Sequence, residues 1–196
     1  MLEANFTKRL GNFLLKAKFE GDDTICITGR NGAGKTTLLR CLAGIYNIDS
    51  GYIKLNGINI ESLPIEKRRI VLIDNNSYIP NLSVDEHILW ASKNLEKEKL
   101  EEVKSLLGIN YSGKVGKLSL GQRIRVALAT ALLSNPKAIL VDEAFSHISQ
   151  KEEFIGNFLK LAKEFKIKIV FATQDINDAK FASYHYLIEN GEMKRI

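Results

Sequence analysis

The residues from Gly29 to Thr37 carry the clearest chemistry in this chain. Gly29-Arg30-Asn31-Gly32-Ala33-Gly34-Lys35-Thr36 fits the spacing GxxxxGK[ST] and lies between an apolar run and a helical pattern, the context that a phosphate-binding loop requires. Glycines let backbone N–H groups close around phosphate oxygens, and the start of the following helix adds the positive end of its dipole. Lys35 would reach the β- and γ-phosphates, the Thr36 hydroxyl would ligate Mg²⁺, and Thr37 would support the α-phosphate. A glycine-rich turn that matches by accident is the competing reading, and the strand–loop–helix context counts against it.

A second feature is Ala138-Ile-Leu-Val-Asp142-Glu143, an apolar strand ending in two acids. Asp142 could hold Mg²⁺, and Glu143 could act as general base toward an attacking water. Alone, the segment would read as a strand ending in solvated charge. Beside a phosphate-binding loop, the chemical reading prevails. A third feature, Leu118-Ser-Leu-Gly-Gln122, stands before a helix expected at 123–133, and alone it would be a helix cap.

The elements that must position these residues follow from periodicity. Phe13, Leu15, Ala17 and Phe19 alternate as a half-buried strand, and Thr24–Thr28 is a short apolar run. The helix after the loop ends at Gly44, which fits a left-handed cap. Asn56-Gly57 and Asn190-Gly191 between apolar alternations predict hairpins. Ile70–Ile73 reads as a buried strand. Ser83-Val-Asp-Glu86 is a capping box opening a helix through 87–94, and 97–107 forms another that stops at Gly108. Strand patterns return at 138–142 and 167–172, with a helix between them that places Phe154, Phe158, Leu161, Ala162 and Phe165 on one face. A short helix follows near 176–183. The pattern is one α/β domain over 1–196 with a helical insertion near 75–135.

The three motifs, in this order, resemble the nucleotide-binding subunit of an ABC transporter over essentially the whole chain. The resemblance implies a P-loop NTPase core with a mixed sheet flanked by helices, an antiparallel β part and an inserted α-helical subdomain. It implies ATP and Mg²⁺ as cofactors and a second ABC subunit, in a homo- or heterodimer, as partner. Ser119, Gly121 and Gln122 would then contact the γ-phosphate of ATP held by the other subunit, and Phe6 falls about where an aromatic stacks on adenine. Three positions depart from the family pattern. Asp74 stands at the Q-loop glutamine and could still ligate Mg²⁺; Ser149 replaces the D-loop aspartate; and Gln174 takes the switch histidine's place, able to donate a hydrogen bond but not to titrate. His147 is a candidate stand-in for that histidine, whereas His87 and His185 read as structural. These changes predict ATP binding with slow or conditional hydrolysis.

The opening segment and the run Ile65-Glu-Lys-Arg-Arg-Ile70 are similar to molybdate- and tungstate-type importer ATPases. The expected function is an ATPase motor driving a membrane permease through dimer closure, peripheral on the cytoplasmic face. The alternatives are a regulatory or weakly hydrolysing subunit and a soluble non-transport ABC ATPase. No coiled-coil heptads lie between Lys35 and Asp142, which counts against a DNA-repair member.

Composition sets the outer bounds. With 196 residues, 45% hydrophobic and 26% charged, the chain can bury a core and is not broadly disordered. Its net charge of +5 would suit a polyanion, but the basic run at 67–69 lies beside Glu66 without interleaved aromatics, so nucleic acid is not expected. The longest apolar run, 126–133, is short of the roughly 20 residues that span a bilayer, and the start has no leader-like apolar stretch. Membrane contact is therefore expected only through a permease. Cys26 and Cys41 sit in apolar runs without metal spacing and read as small buried hydrophobes. The chain stops after the last hairpin, so a bare motor domain without a regulatory appendage is expected.

Overall fold

The computed structural model describes residues 1–91 and 96–196. Strands β1 (Leu2–Leu10) and β2 (Phe13–Gly21) pair antiparallel around a two-residue turn at Gly11-Asn12, with Leu10 opposite Phe13. Strand β3 (Thr24–Thr28) leads into the glycine loop and helix α1 (Lys35–Ala43), which Gly44 ends in the left-handed conformation, as expected. The Asn56-Gly57 hairpin joins β4 (Ser50–Leu55) to β5 (Ile58–Asn59). A short helix α2 (Ile65–Arg68) precedes β6 (Ile70–Ile73).

Helices α3 (Val84–Trp90), α4 (Lys97–Leu106) and α5 (Leu120–Leu133) follow, with no named strand among the described residues between β6 and β7. The capping box Ser83–Glu86 is formed at the start of α3. The sequence predicts this helix through 94; the described helix ends at Trp90, and residues 92–95 lie outside those described. Helix α5 starts three positions earlier than expected, because Ser119 is its N-cap and Gln122 completes a second capping box. Strand β7 (Ala138–Asp142), helix α6 (Lys151–Glu164), strand β8 (Lys168–Thr173) and the hairpin of β9 (Tyr184–Glu189) with β10 (Glu192–Arg195) complete the chain. The expected short helix near 176–183 is a 3-10 turn over Ile176–Phe181.

All ten strands form one mixed sheet in the order β5-β4-β1-β2-β10-β9-β3-β8-β7-β6. Its half containing β3, β8, β7 and β6 is parallel, and the half containing β1, β2, β4 and β5 is antiparallel. The parallel strands are buried on both faces, which explains their unbroken apolar runs. Alternate residues divide between two cores. Ile139, Val141, Ile169 and Phe171 pack with α5 and α6, whereas Leu140, Val170, Ile25 and Ile27 pack with α1 and the antiparallel strands. This alternation fixes the register, since a slip of one residue would exchange the two faces.

Parallel pairing has one consequence for chemistry: the carboxyl ends of four strands meet at one edge. Thr28 pairs with Thr173, Ala172 with Asp142, and Val141 with Ile73. The loops after β3, β8, β7 and β6 therefore emerge side by side. They carry 29–34, 174–175, 143–149 and 74–77.

Cys26 and Cys41 are fully buried, and burial pushes their thiols up to about 12 and about 11. That suits the packing role expected of them. His87 and His185 are structural as well. His87 bridges the Thr130 hydroxyl and the Ile79 N–H, and His185 meets the Thr28 hydroxyl. No helix among the described residues is long and apolar enough to cross a membrane.

Candidate functional site

The loops after β3, β6 and β7, with the tip of the β1–β2 hairpin, line a cavity of about 510 Å³. It is lined by Asn31, Gly32, Gly34, Lys35, Thr36 and Thr37 from the glycine loop, by Asp74, Asn75 and Asn76, by Asp142 and Glu143, and by Leu10 and Phe13 from the first hairpin. A neighbouring cavity of about 990 Å³ takes in Gly29, Arg30, Ala33 and Gln174. The first turn of α1 opens directly into this edge. Its N-cap is Gly34, which provides no side-chain hydrogen bond, so the N–H groups of that turn stay available for an anion. Only glycine fits there, because its φ is 114° and a Cβ would lie 2.8 Å from the Phe13 ring.

Lys35 is 4% exposed. Its ammonium donates to the carbonyls of Gly29 at 2.7 Å and Arg30 at 3.0 Å, and it pairs with Glu143 Oε1 at 3.0 Å. The other oxygen, Oε2, accepts from the Gln174 amide at 3.0 Å. Burial pushes the Glu143 carboxyl up, but the hydrogen bonds from Lys35 and Gln174 and the Lys35 charge outweigh it and hold the group below its usual range. Glu143 is thus an anion with both oxygens engaged. Its backbone is held at φ 54°, in the left-handed region, where its N–H donates to Ala172 O and its carbonyl accepts from the Ser146 hydroxyl. Strain of this kind, fixed by surrounding bonds, is characteristic of functional positions.

Asp142 contrasts with its neighbour. Burial pushes its carboxyl up, the Thr36 hydroxyl counters this, and the charges of Glu143 and Asp74 push further upward. Its Oδ1 is buried without a hydrogen-bond partner. A buried orphan carboxylate oxygen beside a threonine hydroxyl and a phosphate cradle is a hard oxygen donor set. Mg²⁺ binds through such sets with one or two protein ligands, completing its shell from phosphates and water. Thr36 and Asp142 therefore fit the expected metal.

Other expected site residues are placed differently. Phe6 is 2% exposed and shares the inward face of β1 with Leu2 and Ala4, in the core. Strand parity removes it from any stacking role, a correction to the sequence reading. The apolar residues beside the loop are Phe13 and Leu10, the latter 39% exposed, at the tip of the same hairpin. Their signal was the Gly11-Asn12 turn, which aims the hairpin tip at the glycine loop. Asp74 does line the cavity, but its Oδ1 accepts from the Asn76 N–H and the Ser77 hydroxyl, closing its own turn. A further acceptor in that loop, Asn75 Oδ1, is buried and unpartnered. Among the described residues Asn75 and Asp142 hold the only two buried side-chain oxygens or nitrogens without partners, and both residues line this cavity. Sequence reading missed Asn75 because Asp74 ends the strand run.

Ser119, Gly121 and Gln122 line neither of these cavities. Ser119 Oγ accepts from the Gln122 N–H, and Gln122 Oε1 accepts from the Ser119 N–H. Gly121 packs so closely on the 144–149 segment that a Cβ would come 2.5 Å from the His147 carbonyl. Ser149 accepts a hydrogen bond from Arg125 through its carbonyl.

Residues 15–146 match the family model described as ABC transporter. The chain is 33% identical to the molybdate/tungstate import ATP-binding protein of Archaeoglobus fulgidus, over all of this chain and 88% of that one. It is 38% identical to a protein of the same description from Methanocaldococcus jannaschii, over 90% of this chain. There it spans only 63% of the relative's length. Among solved structures, a component of an ABC transporter complex from Clostridium perfringens superposes with a TM-score of 0.82 over 98% of this chain and 86% of that one, at 22% identity. That likeness shows the α/β fold with its mixed sheet and flanking helices.

Proposed function

This chain belongs to the ABC transporter family as one of its ATP-binding subunits, and from that premise we propose that it is the ATPase motor of an importer. The observation that carries the proposal is the meeting, in one cavity at an uncapped helix N-terminus, of Lys35, the engaged base Glu143 and the orphan oxygen of Asp142.

The triphosphate of ATP lies along the N–H groups of the loop and of α1, with the nucleoside end against Leu10 and Phe13. Lys35 leaves the Gly29 and Arg30 carbonyls for the β- and γ-phosphates, where a charge-assisted bond is stronger. That movement also frees Glu143 Oε1. The base becomes able to accept a proton from water only once phosphate has drawn Lys35 away, so nucleotide binding and base activation are one event. Gln174 keeps hold of Oε2 and aims the carboxylate. Thr36 and Asp142 would hold Mg²⁺ in this chain, with Asp74 and Asn75 lining the same cavity. Mg²⁺ held there would neutralise charge on the phosphates.

Residues 1–196 act as one ATPase unit, with the helical segment at 75–135 inserted in the core. A second ABC subunit completes the site by presenting Ser119, Gly121 and Gln122 to the γ-phosphate. Closure and reopening of the pair drive a permease, which keeps the chain peripheral on the cytoplasmic face of the membrane. The relatives' descriptions support a tetrahedral oxyanion such as molybdate or tungstate as cargo.

Turnover of ATP by wild type and Glu143→Gln tests this. The account expects turnover to fall by roughly 10²–10⁴ in the variant while ATP binding persists. A second reading, a regulatory subunit that hydrolyses slowly, draws on the full engagement of Glu143 and on Gln174 in place of a titrating residue. Equal and negligible turnover in both proteins, with ATP still bound, would favour it.

A further inference from the structure

The segment 144–149 lies between two regions that the functional reading treats separately. On one side His147 Nε2 is 3.2 Å from Asn75 Nδ2. An amide nitrogen only donates, so Nε2 is the acceptor and the imidazole carries its proton on Nδ1. The bond fixes which way the Asn75 amide points: its nitrogen goes to His147, leaving Oδ1 as one of the two orphan oxygens at the cavity. On the other side, the His147 carbonyl sits against Gly121 with no room for a side chain, and Arg125 of α5 donates to the Ser149 carbonyl at 2.6 Å. One short strap thus touches both the phosphate cavity and the N-terminal turn of α5.

We propose that His147 is a positioning residue that orients Asn75 in the phosphate cavity. The proposal rests on the ATPase reading above. Asn75 Oδ1 supplies an acceptor for a donor bound in the cavity, and its orientation depends on an acceptor at position 147. Because that acceptor is a ring nitrogen at the surface, the bond contributes little to folding.

His147→Leu and His147→Gln separate these roles, since the glutamine carbonyl can accept from Asn75 Nδ2 and leucine cannot. The measurements are steady-state ATP turnover, thermal melting and the side-chain amide signals of Asn75 by NMR. His147→Leu is expected to lower kcat by about tenfold or more with KM and melting temperature unchanged, and to move the Asn75 amide signals toward solvent-exposed values. His147→Gln is expected to restore both readouts. Wild-type kcat together with unmoved Asn75 signals in His147→Leu would overturn the inference and leave the ATPase reading standing. If the wild type itself turns over no ATP, the ATPase reading fails, and the Asn75 signals alone decide whether His147 positions that amide: movement in leucine and not in glutamine supports it, and no movement overturns it.

Discussion

Two helix N-termini in this chain are built in opposite ways. Helix α1 begins at Gly34 with no side-chain cap and opens on a cavity holding a lysine, three acids and orphan oxygens. Helix α5 begins at Ser119 with both halves of a capping box closed by its own residues. An uncapped start keeps donors ready for an anion, at a cost in stability that Ser or Asp would have spared. A closed box stabilises the helix through the Ser119 and Gln122 side-chain oxygens, which accept, and leaves the Ser119 O–H and the Gln122 Nε2 as the donors that the ATPase reading assigns to a second nucleotide. The α1 end therefore offers backbone donors within the single chain, and the α5 end offers side-chain donors that meet a phosphate only when a second chain brings one.

The largest expected effect comes from the ready end. Lys35→Ala removes the one cation inside the cradle, and ATP affinity is expected to fall by about 10²-fold or more, measured by calorimetry. Unchanged affinity would show that the uncapped helix start alone holds the phosphates.

At the latent end the effects on binding and on turnover should part. Ser119→Ala loses the cap of α5 and is expected to cost about 1 kcal/mol of stability in denaturant unfolding. Its ATP affinity should stay at the wild-type level while turnover falls. A loss of affinity equal to that of Lys35→Ala would place both helix ends in one site of one chain.

The smallest effect sharpens the contrast between loaded and satisfied regions. Burial and neighbouring acids raise the Asp142 pKa, so the folded state holds this proton more tightly than the unfolded one. The resulting stability is fully present below the ordinary aspartate pKa and is lost as pH rises through the raised value. Asp142→Asn removes that loss. Without nucleotide or metal, its melting temperature at neutral pH should exceed the wild type's by a few degrees, with the difference shrinking in acid. A lower melting temperature would mean that the orphan carboxylate is stabilising as it stands.

Much of this contrast could be read from residue order. The glycine loop, the apolar strands and the Asn-Gly hairpins are local features, and local rules place them. The Ser83 capping box was equally legible. The errors arose where a residue's role depends on parity or on a neighbour distant in sequence. Phe6 read as a stacking aromatic, but β1 alternation turns it into the core, and the hairpin tip at Leu10 and Phe13 reaches the loop instead. Asp74 lines the cavity, and what residue order does not show is that its Oδ1 closes its own turn. The cap at Ser119 was suspected, but the start of α5 was placed too late because glycine at 121 weakens the helical pattern. There the helix is held by the Ser119–Gln122 box and by close packing on His147, the latter a contact that sequence order does not reveal.

The central claim is that the α1 end of one chain and the α5 end of another make one catalytic site. Mixing two inactive variants tests it most directly: Lys35→Ala, which loses its cavity, and Ser119→Phe, which loses its α5 contact. Each alone should turn over no ATP, whereas a mixed dimer contains one site with an intact cavity from one chain and an intact α5 end from the other. The account predicts that ATP turnover reappears on mixing and rises with the fraction of mixed dimer. Turnover that stays at zero, with mixed dimers demonstrated by light scattering of differently tagged chains, would contradict it.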